Sequence, residues 1–472
     1  MGWARAVGLV AFALCAQANA GPNVLFIISD DLSAEALGAY GNVQCATPNI
    51  DRLAQEGVRF TRAYCQFPIC GPSRAALMSG MYPETIGVMG NRQSERFEAS
   101  MGTRPSLAEH FRLNGYHTAR VSKIYHMRVP GDITAGVDGP DHAESWSERH
   151  NFRGPEWMTE GEHEHLSNEE LRFEPETHYS LGFGGAFYVV RGSSDGFEQP
   201  DVRAASKAIA IMREERSEPF FMAVGLVRPH VPLVAPETYF ERYPESAMTL
   251  PEKVAGDWDD IPEAGRSRSS QSLGMEGDLV KQRKSLAAYY ASVTFMDAQV
   301  GRLLDALDEL GLRDNTIVVF MSDHGYHLGE HDFWQKVSLH EESMRIPLII
   351  SAPGVEPATA DTICEQIDLY PTLAELAGLA VPAHCMGRSL APALADPTVS
   401  IREDAYGVTG GGRMLRTEAW AYIRHWDGEE ELYDMRGDPR QYTNLADSSE
   451  HDDVLELLRV RMVRRTASAV SN

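Results

Sequence analysis

The chain has 472 residues, which is too long for one small core, and its 43% hydrophobic and 24% charged residues are typical of a globular protein. Its formal net charge of −25 argues against binding to nucleic acid and against adsorption to anionic membranes. An anionic substrate therefore has to be held by a local pocket of basic residues.

Residues 1–20 have the features of a secretory signal peptide. Arg5 provides the charged start, residues 6–15 form the apolar core, and Ala18 to Ala20 are a cleavage site of small residues. The apolar core is too short to span a bilayer, and no later stretch is long and apolar enough. We expect the mature protein to be exported, to the periplasm or outside the cell, without stable membrane insertion.

The cysteines allow several pairings. Without Cys15 of the leader, an odd number remains, so at least one thiol is unpaired. The remaining cysteines are Cys45, Cys65, Cys70, Cys364 and Cys385. If Cys70 is set apart, the other four pair in three ways, and the sequence does not choose among them.

Short apolar runs without polar alternation predict strands that are buried on both faces of a parallel sheet. In chain order these runs cover 23–29, about 116–121, 220–224, 316–322 and 346–350. Helical patterns lie between them, over 106–114, 204–213 and 286–310. The alternation predicts an α/β fold with a large, mostly parallel sheet flanked by helices.

Polar side chains follow four of these strands, at the point where each strand ends. In a parallel sheet the carboxyl ends of strands meet at one crevice, so we expect these groups to lie together. They are Asp30, Asp31, Lys123, His126, His230, Asp323 and His324.

Cys70 is followed by Gly71, Pro72, Ser73 and Arg74 and then by an apolar run of good helix formers. Pro72 and Ser73 suit the first turn of a helix, which places Cys70 at its N-terminus. The unpaired N–H groups and the positive end of the helix dipole favour an anion there.

The rest of the chain is less regular. Residues 131–180 are polar and aperiodic and predict a long insertion loop, and residues 256–280 predict a second irregular segment. Frequent Pro and Gly from 382 to 397 indicate a boundary. We expect a catalytic domain over 21–395 and a C-terminal α+β subdomain over 396–472. The subdomain is expected to be a small antiparallel sheet, with strands over 412–417, 419–425 and 431–434, and one helix from about residue 453.

Several separated motifs resemble, in the same order, the sulfatases of the alkaline phosphatase-like superfamily. They are 23–31, Cys70 to Gly80, Lys123 to His126, 316–325, and 431–434 with Asn444 and Leu445. Within that family the segments 122–126, 219–232 and 322–331 are most similar to the iduronate-2-sulfatase branch. The resemblance covers nearly the whole mature chain.

The resemblance implies a set of roles. Cys70 is oxidised to formylglycine by a formylglycine-generating enzyme, and its hydrated aldehyde is the nucleophile. A Ca²⁺ ion, or Mg²⁺, binds to the side chain at position 70 and to Asp30, Asp31, Asp323 and His324. Arg74, Lys123 and Lys336 bind sulfate oxygens. His126 removes the proton that regenerates the aldehyde, and His230 with Lys336 protonates the departing alcohol.

The segment 326–334 leads from the strand before Asp323 back to Lys336, so we expect it to form one wall of the pocket. Aromatic rings suit the apolar faces of a sugar, and imidazoles suit its hydroxyl or carboxylate groups. The predicted substrate-binding residues are Tyr326, His327, His331 and Trp334.

The sequence thus predicts a metal-dependent sulfatase that removes sulfate from a sulfated carbohydrate, specifically 2-O-sulfate from uronic acid residues. Two alternatives stay open. One is a phosphatase or phosphonate monoester hydrolase on the same fold, because sulfate and phosphate esters share tetrahedral geometry. The other is a catalytically inactive glycan-binding protein, against which the intact set of site residues argues.

Overall fold

A mixed sheet of eight strands forms the centre of the protein, seen in a computed structural model that describes residues 21–174 and 179–470. In order across the sheet the strands are Ala358–Glu365, Val58–Tyr64, Arg345–Ser351, Thr316–Ser322, Asn23–Asp30, Phe220–Pro229, His117–Ser122 and Glu148–His150. Only Arg345–Ser351 runs antiparallel to its neighbours. The predicted signal peptide lies outside the described residues.

The register of the central strands places the predicted polar groups at one edge. Ser29 pairs with Ser322 on the neighbouring strand. The strand Phe220–Pro229 lies on the other side of residues 24–30, and its Gly225 pairs with Ser122. Asp30, Lys123 and Asp323 each follow one of these paired residues, so they meet beyond the carboxyl ends of parallel strands.

Side chains alternate between the two faces of the sheet, and each face carries its own helices. On one face Leu25 and Ile27 pack with the helices Pro48–Glu56, Pro200–Met212 and Leu279–Glu309. On the other face Val24, Phe26 and Ile28 pack with Cys70–Ser79, Leu107–Leu113 and Leu369–Leu376. The remaining α-helices are Pro83–Ile86, Phe97–Met101, Gly131–Ala135, Glu237–Phe240, Glu341–Met344, Ala391–Ala395 and Asp452–Val470.

The predicted helices are present, and local capping explains their exact ends. Ser106 and Glu109 form a reciprocal capping box, so that helix begins at Leu107. The helix predicted to begin at 286 begins instead at Leu279, because the side chain of Asp278 accepts a hydrogen bond from the N–H of Lys281. The apolar pattern of this helix begins several residues after its N-cap, Asp278, so the pattern alone predicts a start that is too late.

The predicted loop over 131–180 is wrong in part. Its described residues include the helix Gly131–Ala135 and four short strands, one of which extends the main sheet. Gly161–His165 joins Tyr188–Gly192 and Leu233–Pro236 in a three-stranded sheet, and Arg172–Glu174 pairs with Tyr179–Leu181. Glu148–His150 and Gly161–His165 are polar strands whose partners lie outside this segment, so a local sequence period does not reveal them.

The C-terminal part confirms the predicted small antiparallel sheet with one helix. Its strands, in order, are Asp404–Val408, Gly412–Thr417, Trp420–His425 and Glu430–Asp434, followed by the helix Asp452–Val470. The N–H of Tyr406 donates to the carboxylate of Glu365 at the edge of the main sheet, at 2.7 Å. The domain boundary at residue 395 stays a prediction.

Two further observations bear on the sequence expectations. Within the described ranges, none of the helices combines the length and the apolar character that a bilayer crossing requires. The five described cysteines are all free thiols, so no disulfide joins any pair of them.

Candidate active site

Cys70 opens the helix Cys70–Ser79, whose last turn ends at Gly80 in the left-handed region with a φ of 67°. The thiol is only 2% exposed. Its Sγ lies 3.8 Å from Oδ1 of Asp31 and 3.5 Å from Nε2 of His324. The predicted nucleophile therefore lies at a helix N-terminus, against the carboxyl ends of two central strands.

Acidic and imidazole ligands surround Cys70 in two overlapping groups. Potential ligand atoms lie within 4.8 Å of one another in each group. The first group is Asp30, Asp31, Cys70 and His230, and the second is Cys70, Asp323 and His324. All five residues predicted to bind a metal are thus brought together, with His230 beside them.

The chemistry of this cluster fits a divalent cation. Asp31 is only 1% exposed, and its Oδ2 atom has no hydrogen-bond partner among the described residues. Burial raises the pKa of Asp323 to about 7, while His324 and Arg74 oppose the shift. A cation would stabilise the ionised carboxylates, and carboxylate oxygens are the ligands that Ca²⁺ and Mg²⁺ prefer.

Two lysines balance the charge of the aspartates. The Nζ of Lys123 lies 2.5 Å from Oδ2 of Asp30, and the Nζ of Lys336 lies 2.5 Å from Oδ1 of Asp31. Lys336 also lies 3.4 Å from the Sγ of Cys70. Burial opposes the charged lysine, but Asp31 and Cys70 outweigh it and raise the pKa of Lys336 well above its usual value. Lys336 is therefore a positive charge beside the nucleophile position.

The thiol of Cys70 responds to the same charges. Burial and Asp30 raise the pKa of Cys70, but Lys123 and Lys336 outweigh them and lower it below its usual value. The position therefore favours an anion despite its aspartates.

Arg74 has a different placement from the one predicted. It is completely buried and is absent from the lining of the cavity described below. Its Nε donates to Asp323, its Nη2 donates to Asp30, and its Nη1 donates to the carbonyls of Lys123 and Ile124. Since each guanidinium nitrogen already has an acceptor, Arg74 orients the two aspartates instead of facing a sulfate oxygen.

Two histidines lie at the cavity wall. Burial lowers the pKa of His230 to about 4, although Asp31 opposes the shift. The Nδ1 of His230 donates to the carbonyl of Val231 at 2.6 Å, which leaves Nε2 as a proton acceptor in the neutral ring. Burial, followed by the charge of Lys123, lowers the pKa of His126 well below its usual value, and its buried Nδ1 has no hydrogen-bond partner in the described part of the chain. Both rings are therefore neutral bases near pH 7.

A cavity of about 1160 Å³ opens over this cluster. Five of the six residues predicted to be catalytic line it, namely Cys70, Lys123, His126, His230 and Lys336. Further polar lining residues were not predicted, namely Asn91, Arg92, Glu95, Arg128, Arg266, Ser267, Arg268, Ser272 and Gln335. A signal was present in Arg266-Ser267-Arg268, a basic pair that follows an acidic stretch inside the segment 256–280.

The segment before Lys336 corrects the prediction for substrate binding. Tyr326, His327, His331 and Trp334 are between 0% and 2% exposed, and none of them lines the cavity. Tyr326 stacks on Tyr289, and the indole N–H of Trp334 donates to Ser270. Aromatic side chains of this size pack in the core when a neighbouring element covers them, and the cavity wall is formed by Gln335 to Val337 instead.

Lys336 stands between two residues with left-handed backbone. Gln335 has a φ of 71° and Val337 a φ of 74°, which is a costly conformation for a β-branched residue. The N–H of Val337 donates to the carbonyl of Pro68, and the hydroxyl of Ser267 donates to the carbonyl of Lys336, both at 3.2 Å. Contacts from other segments therefore hold the lysine in place.

Comparisons with known proteins agree with this geometry. The family model described as Sulfatase matches residues 22–379, and the one described as N-sulphoglucosamine sulphohydrolase, C-terminal, matches residues 329–468. A protein named Sulfatase from Formosa agariphila is 31% identical over 461 residues, which is 95% of this chain and 87% of the relative. Iduronate 2-sulfatase of Mus musculus is 32% identical over 426 residues, which is 80% of this chain and 73% of that protein.

A solved structure supports the fold. The phosphonate monoester hydrolase of Agrobacterium radiobacter superposes with a TM-score of 0.76 at 22% identity, covering 95% of this chain and 96% of that one. The expected alkaline phosphatase-like α/β fold is therefore confirmed, while the iduronate-2-sulfatase branch stays a prediction. The chain belongs to the sulfatase family and is a sulfuric ester hydrolase.

Proposed function

We propose that this enzyme hydrolyses sulfate esters of an acidic carbohydrate, with residue 70 as its nucleophile and one divalent cation beside it. The observation that carries the proposal is the position of Cys70. It lies at a helix N-terminus, on the cavity wall, within 4.8 Å of two groups of ligand atoms and 3.4 Å from Lys336.

Two groups would complete the site. In its formylglycine form, made by a formylglycine-generating enzyme, residue 70 would supply the hydroxyl nucleophile of a hydrated aldehyde. A Ca²⁺ or Mg²⁺ ion would be held by that residue with Asp30, Asp31, Asp323 and His324, and it would polarise the sulfate. Arg74 supports this arrangement because it fixes Asp30 and Asp323 from behind.

The lysines of the cavity act on the anionic part of the substrate. Lys123 and Lys336 both reach the cavity and carry charge beside the aspartates, so they would orient sulfate oxygens and stabilise the charge that develops on them. His126 is a neutral ring at the wall and would remove a proton from the hydroxyl at position 70.

The departing alcohol needs a proton. His230 lies 3.7 Å from Asp31 and lines the cavity together with the protonated Lys336. We assign the donation to this pair. Because His230 is neutral near pH 7 and its Nε2 is an acceptor, Lys336 supplies the proton, and Nε2 of His230 then accepts a hydrogen bond from the protonated alcohol.

The charge of the cavity supports an acidic sugar. Arg92, Arg128, Arg266 and Arg268 line it in addition to the lysines, with Glu95 as the one acidic residue in its described lining, in a chain whose formal net charge is −25. The relative named iduronate 2-sulfatase favours a 2-O-sulfated uronic acid within that class. Hydrolysis of phosphate or phosphonate monoesters is the alternative, and binding to a glycan without turnover is a second.

We further propose that the protein acts outside the cytoplasm, because residues 1–20 have the pattern of a secretory signal. Outside the cytoplasm the enzyme would have access to extracellular polysaccharides as substrates. Expression with and without residues 1–20, followed by cell fractionation, tests this part of the proposal.

The test of the activity compares matched substrates. An aryl sulfate, the corresponding aryl phosphate and a 2-O-sulfated uronic acid disaccharide are offered to enzyme made in cells that form formylglycine. The proposal expects turnover of both sulfates, with the larger kcat/KM for the disaccharide. A larger kcat/KM for the aryl phosphate would favour a phosphatase, and binding of the disaccharide without any turnover would favour the inactive glycan-binding protein.

A further inference from the structure

A second cavity lies in the C-terminal part of the protein, between the antiparallel sheet and the last helix. We call it the C-terminal cleft. Its volume is about 340 Å³, and it shares no lining residue with the active-site cavity. Its lining residues are Arg413, Arg424, His425, Trp426, Gly428, Met462, Val463 and Thr466.

The cleft is positively charged, because the described residues that line it include two arginines and no acidic residue. Arg413 and Arg424 are direct partners in the register of neighbouring antiparallel strands. Like charges directly opposite each other destabilise a sheet, so this pair does not serve stability. An anionic ligand between the two guanidinium groups would remove the repulsion.

The carboxylates nearest to these arginines are already engaged. Arg424 also lies in register with Glu430, but the carboxylate of Glu430 accepts hydrogen bonds from Arg459 and Tyr422. Among the described residues the guanidinium of Arg424 makes no hydrogen bond and no ion pair, although its charge contributes to the lowered pKa of Glu430. Arg413 donates to the hydroxyl of Tyr406 at 2.8 Å and lies 3.6 Å from Glu84. Positive charge therefore remains available in the cleft.

An aromatic surface adjoins the charge. Trp426 is 50% exposed, and the guanidinium carbon of Arg413 lies 4.4 Å from the centre of its ring. This contact holds both side chains in place before any ligand arrives. Val463, which is 62% exposed, provides an apolar surface across the cleft. A half-exposed indole suits the apolar face of a sugar ring, and the arginines suit its sulfate or carboxylate groups.

Acidic residues separate the cleft from the active site. Asp259, Asp260, Glu263 and Glu429 line a depression that borders the cleft at Gly428 and the active-site cavity at Arg266. An anionic chain would be repelled along that direct line. The cleft is therefore separate from the catalytic cavity and not an extension of it.

We propose that the C-terminal cleft binds a sulfated segment of a carbohydrate chain without acting on it. The choice of this ligand rests on the proposed function, since the substrate of the active site belongs to the same class. Binding at the cleft keeps other parts of a long chain close to the catalytic cavity and raises their effective concentration there. A small substrate that fills only the active site gains nothing from it.

The test measures binding and turnover separately. Titration calorimetry with a size-fractionated heparin octasaccharide is carried out on enzyme with Trp426→Ser and Arg424→Ser. Arg436→Ser is the matched control, because Arg436 lies in the same subdomain, its side chain is 68% exposed, and its one ion-pair partner among the described residues is Glu418 at 3.5 Å. We expect the affinity of one binding site to fall by about tenfold or more in the double variant and to be unchanged in the control. Thermal melts show that both variants are folded.

Kinetics provides the second arm. The double variant is expected to show a higher KM on long sulfated chains with the same kcat, and unchanged constants on an aryl sulfate. Unchanged octasaccharide binding in the double variant overturns the proposal. The proposal is also overturned if a DNA oligonucleotide of the same charge binds the parent enzyme as tightly as the octasaccharide does, because binding then depends on charge alone. Cleft binding in an enzyme that hydrolyses no sulfate ester would overturn the proposed function and leave this inference standing.

Discussion

Arg74 and Asp323 form an ion pair with 2.9 Å between Nε and Oδ2, and both side chains are completely shielded from solvent. The same guanidinium donates to Asp30 at 3.1 Å. Removing one partner from a buried pair leaves an unpaired charge in the core, and lysine does not replace the fork geometry of arginine. The helix that begins at Cys70 thereby fixes the carboxylates of two strands.

The first prediction concerns this pair. Arg74→Met removes the positive charge and leaves Asp30 and Asp323 without it, so we expect the free energy of unfolding to fall by about 3 kcal/mol, measured by denaturant titration without added metal. Arg52→Met is the control, because Arg52 pairs with Asp305 at 2.8 Å on the surface, where such pairs contribute less than about 1 kcal/mol. Equal losses in the two variants would contradict the role of Arg74 as a buried support.

The second prediction concerns the cation. Asp31→Asn removes a charge from the carboxylate whose Oδ2 is buried without a partner, so Ca²⁺ affinity is expected to fall by about tenfold or more. Titration calorimetry on metal-free protein measures this without reference to activity. Asp361→Asn, at an exposed residue that accepts from Thr61, is expected to leave the affinity unchanged. Full Ca²⁺ affinity in Asp31→Asn would contradict the site.

The third prediction concerns Lys336. Replacement by Ala removes the charge nearest to residue 70 and is expected to lower kcat by about 10²–10³-fold, with a smaller effect on KM. Lys284→Ala removes a lysine that pairs with Glu164 and does not line the cavity, and it is expected to retain full activity. Steady-state kinetics on an aryl sulfate measures both variants. A normal kcat in Lys336→Ala would show that Lys336 does not stabilise the transition state.

The fold and the cluster around Cys70 were predictable because their signals are local. Buried strands leave apolar runs, and the side chains that follow them must meet at one sheet edge. The prediction that Arg74 binds sulfate is not supported by its position in the structure. The sequence shows a positive charge near the nucleophile, but it does not show that Asp30, Asp323 and two carbonyls accept the hydrogen bonds of this guanidinium.

The residues that border the substrate were not predictable in the same way. His331 and Trp334 have the composition of a sugar-binding wall, yet Asp257 and Ser270 bind them inside the core. The actual lining arginines come from segments without a period, and their positions depend on contacts with distant chain segments. Long-range packing decides these cases, and no local pattern records it.

The fourth prediction concerns Glu431, which joins the C-terminal sheet to the segment after Lys336. Its buried carboxylate accepts from His340 at 2.9 Å, from His425 at 2.6 Å and from Tyr433 at 2.5 Å. Burial raises the pKa of Glu431, but His340 and these hydrogen bonds outweigh it and hold the pKa well below its usual value. Glu431→Gln is expected to lower the free energy of unfolding by about 3 kcal/mol at pH 7.

The pH dependence of that difference has a defined sign. Because the folded pKa is depressed, the carboxylate stabilises the protein above its unfolded pKa of about 4.3, and this stability is lost as the pH falls from there towards the folded pKa. The gap between the parent protein and Glu431→Gln should therefore narrow below about pH 4.3 in denaturant titrations. Glu429→Gln changes an exposed neighbour and should have the same free energy of unfolding as the parent protein. A difference for Glu431→Gln that does not change with pH would contradict an ionised Glu431.

The most direct test of the central claim is the mass of the tryptic peptide from Ala63 to Arg74, measured on enzyme whose turnover is known. The peptide contains its own control, because Cys65 is fully buried away from the cavity and should stay a thiol. We predict formylglycine at position 70, a turnover proportional to the converted fraction, and no turnover in Cys70→Ala. Full turnover from a preparation in which position 70 is entirely an unmodified thiol would contradict the mechanism.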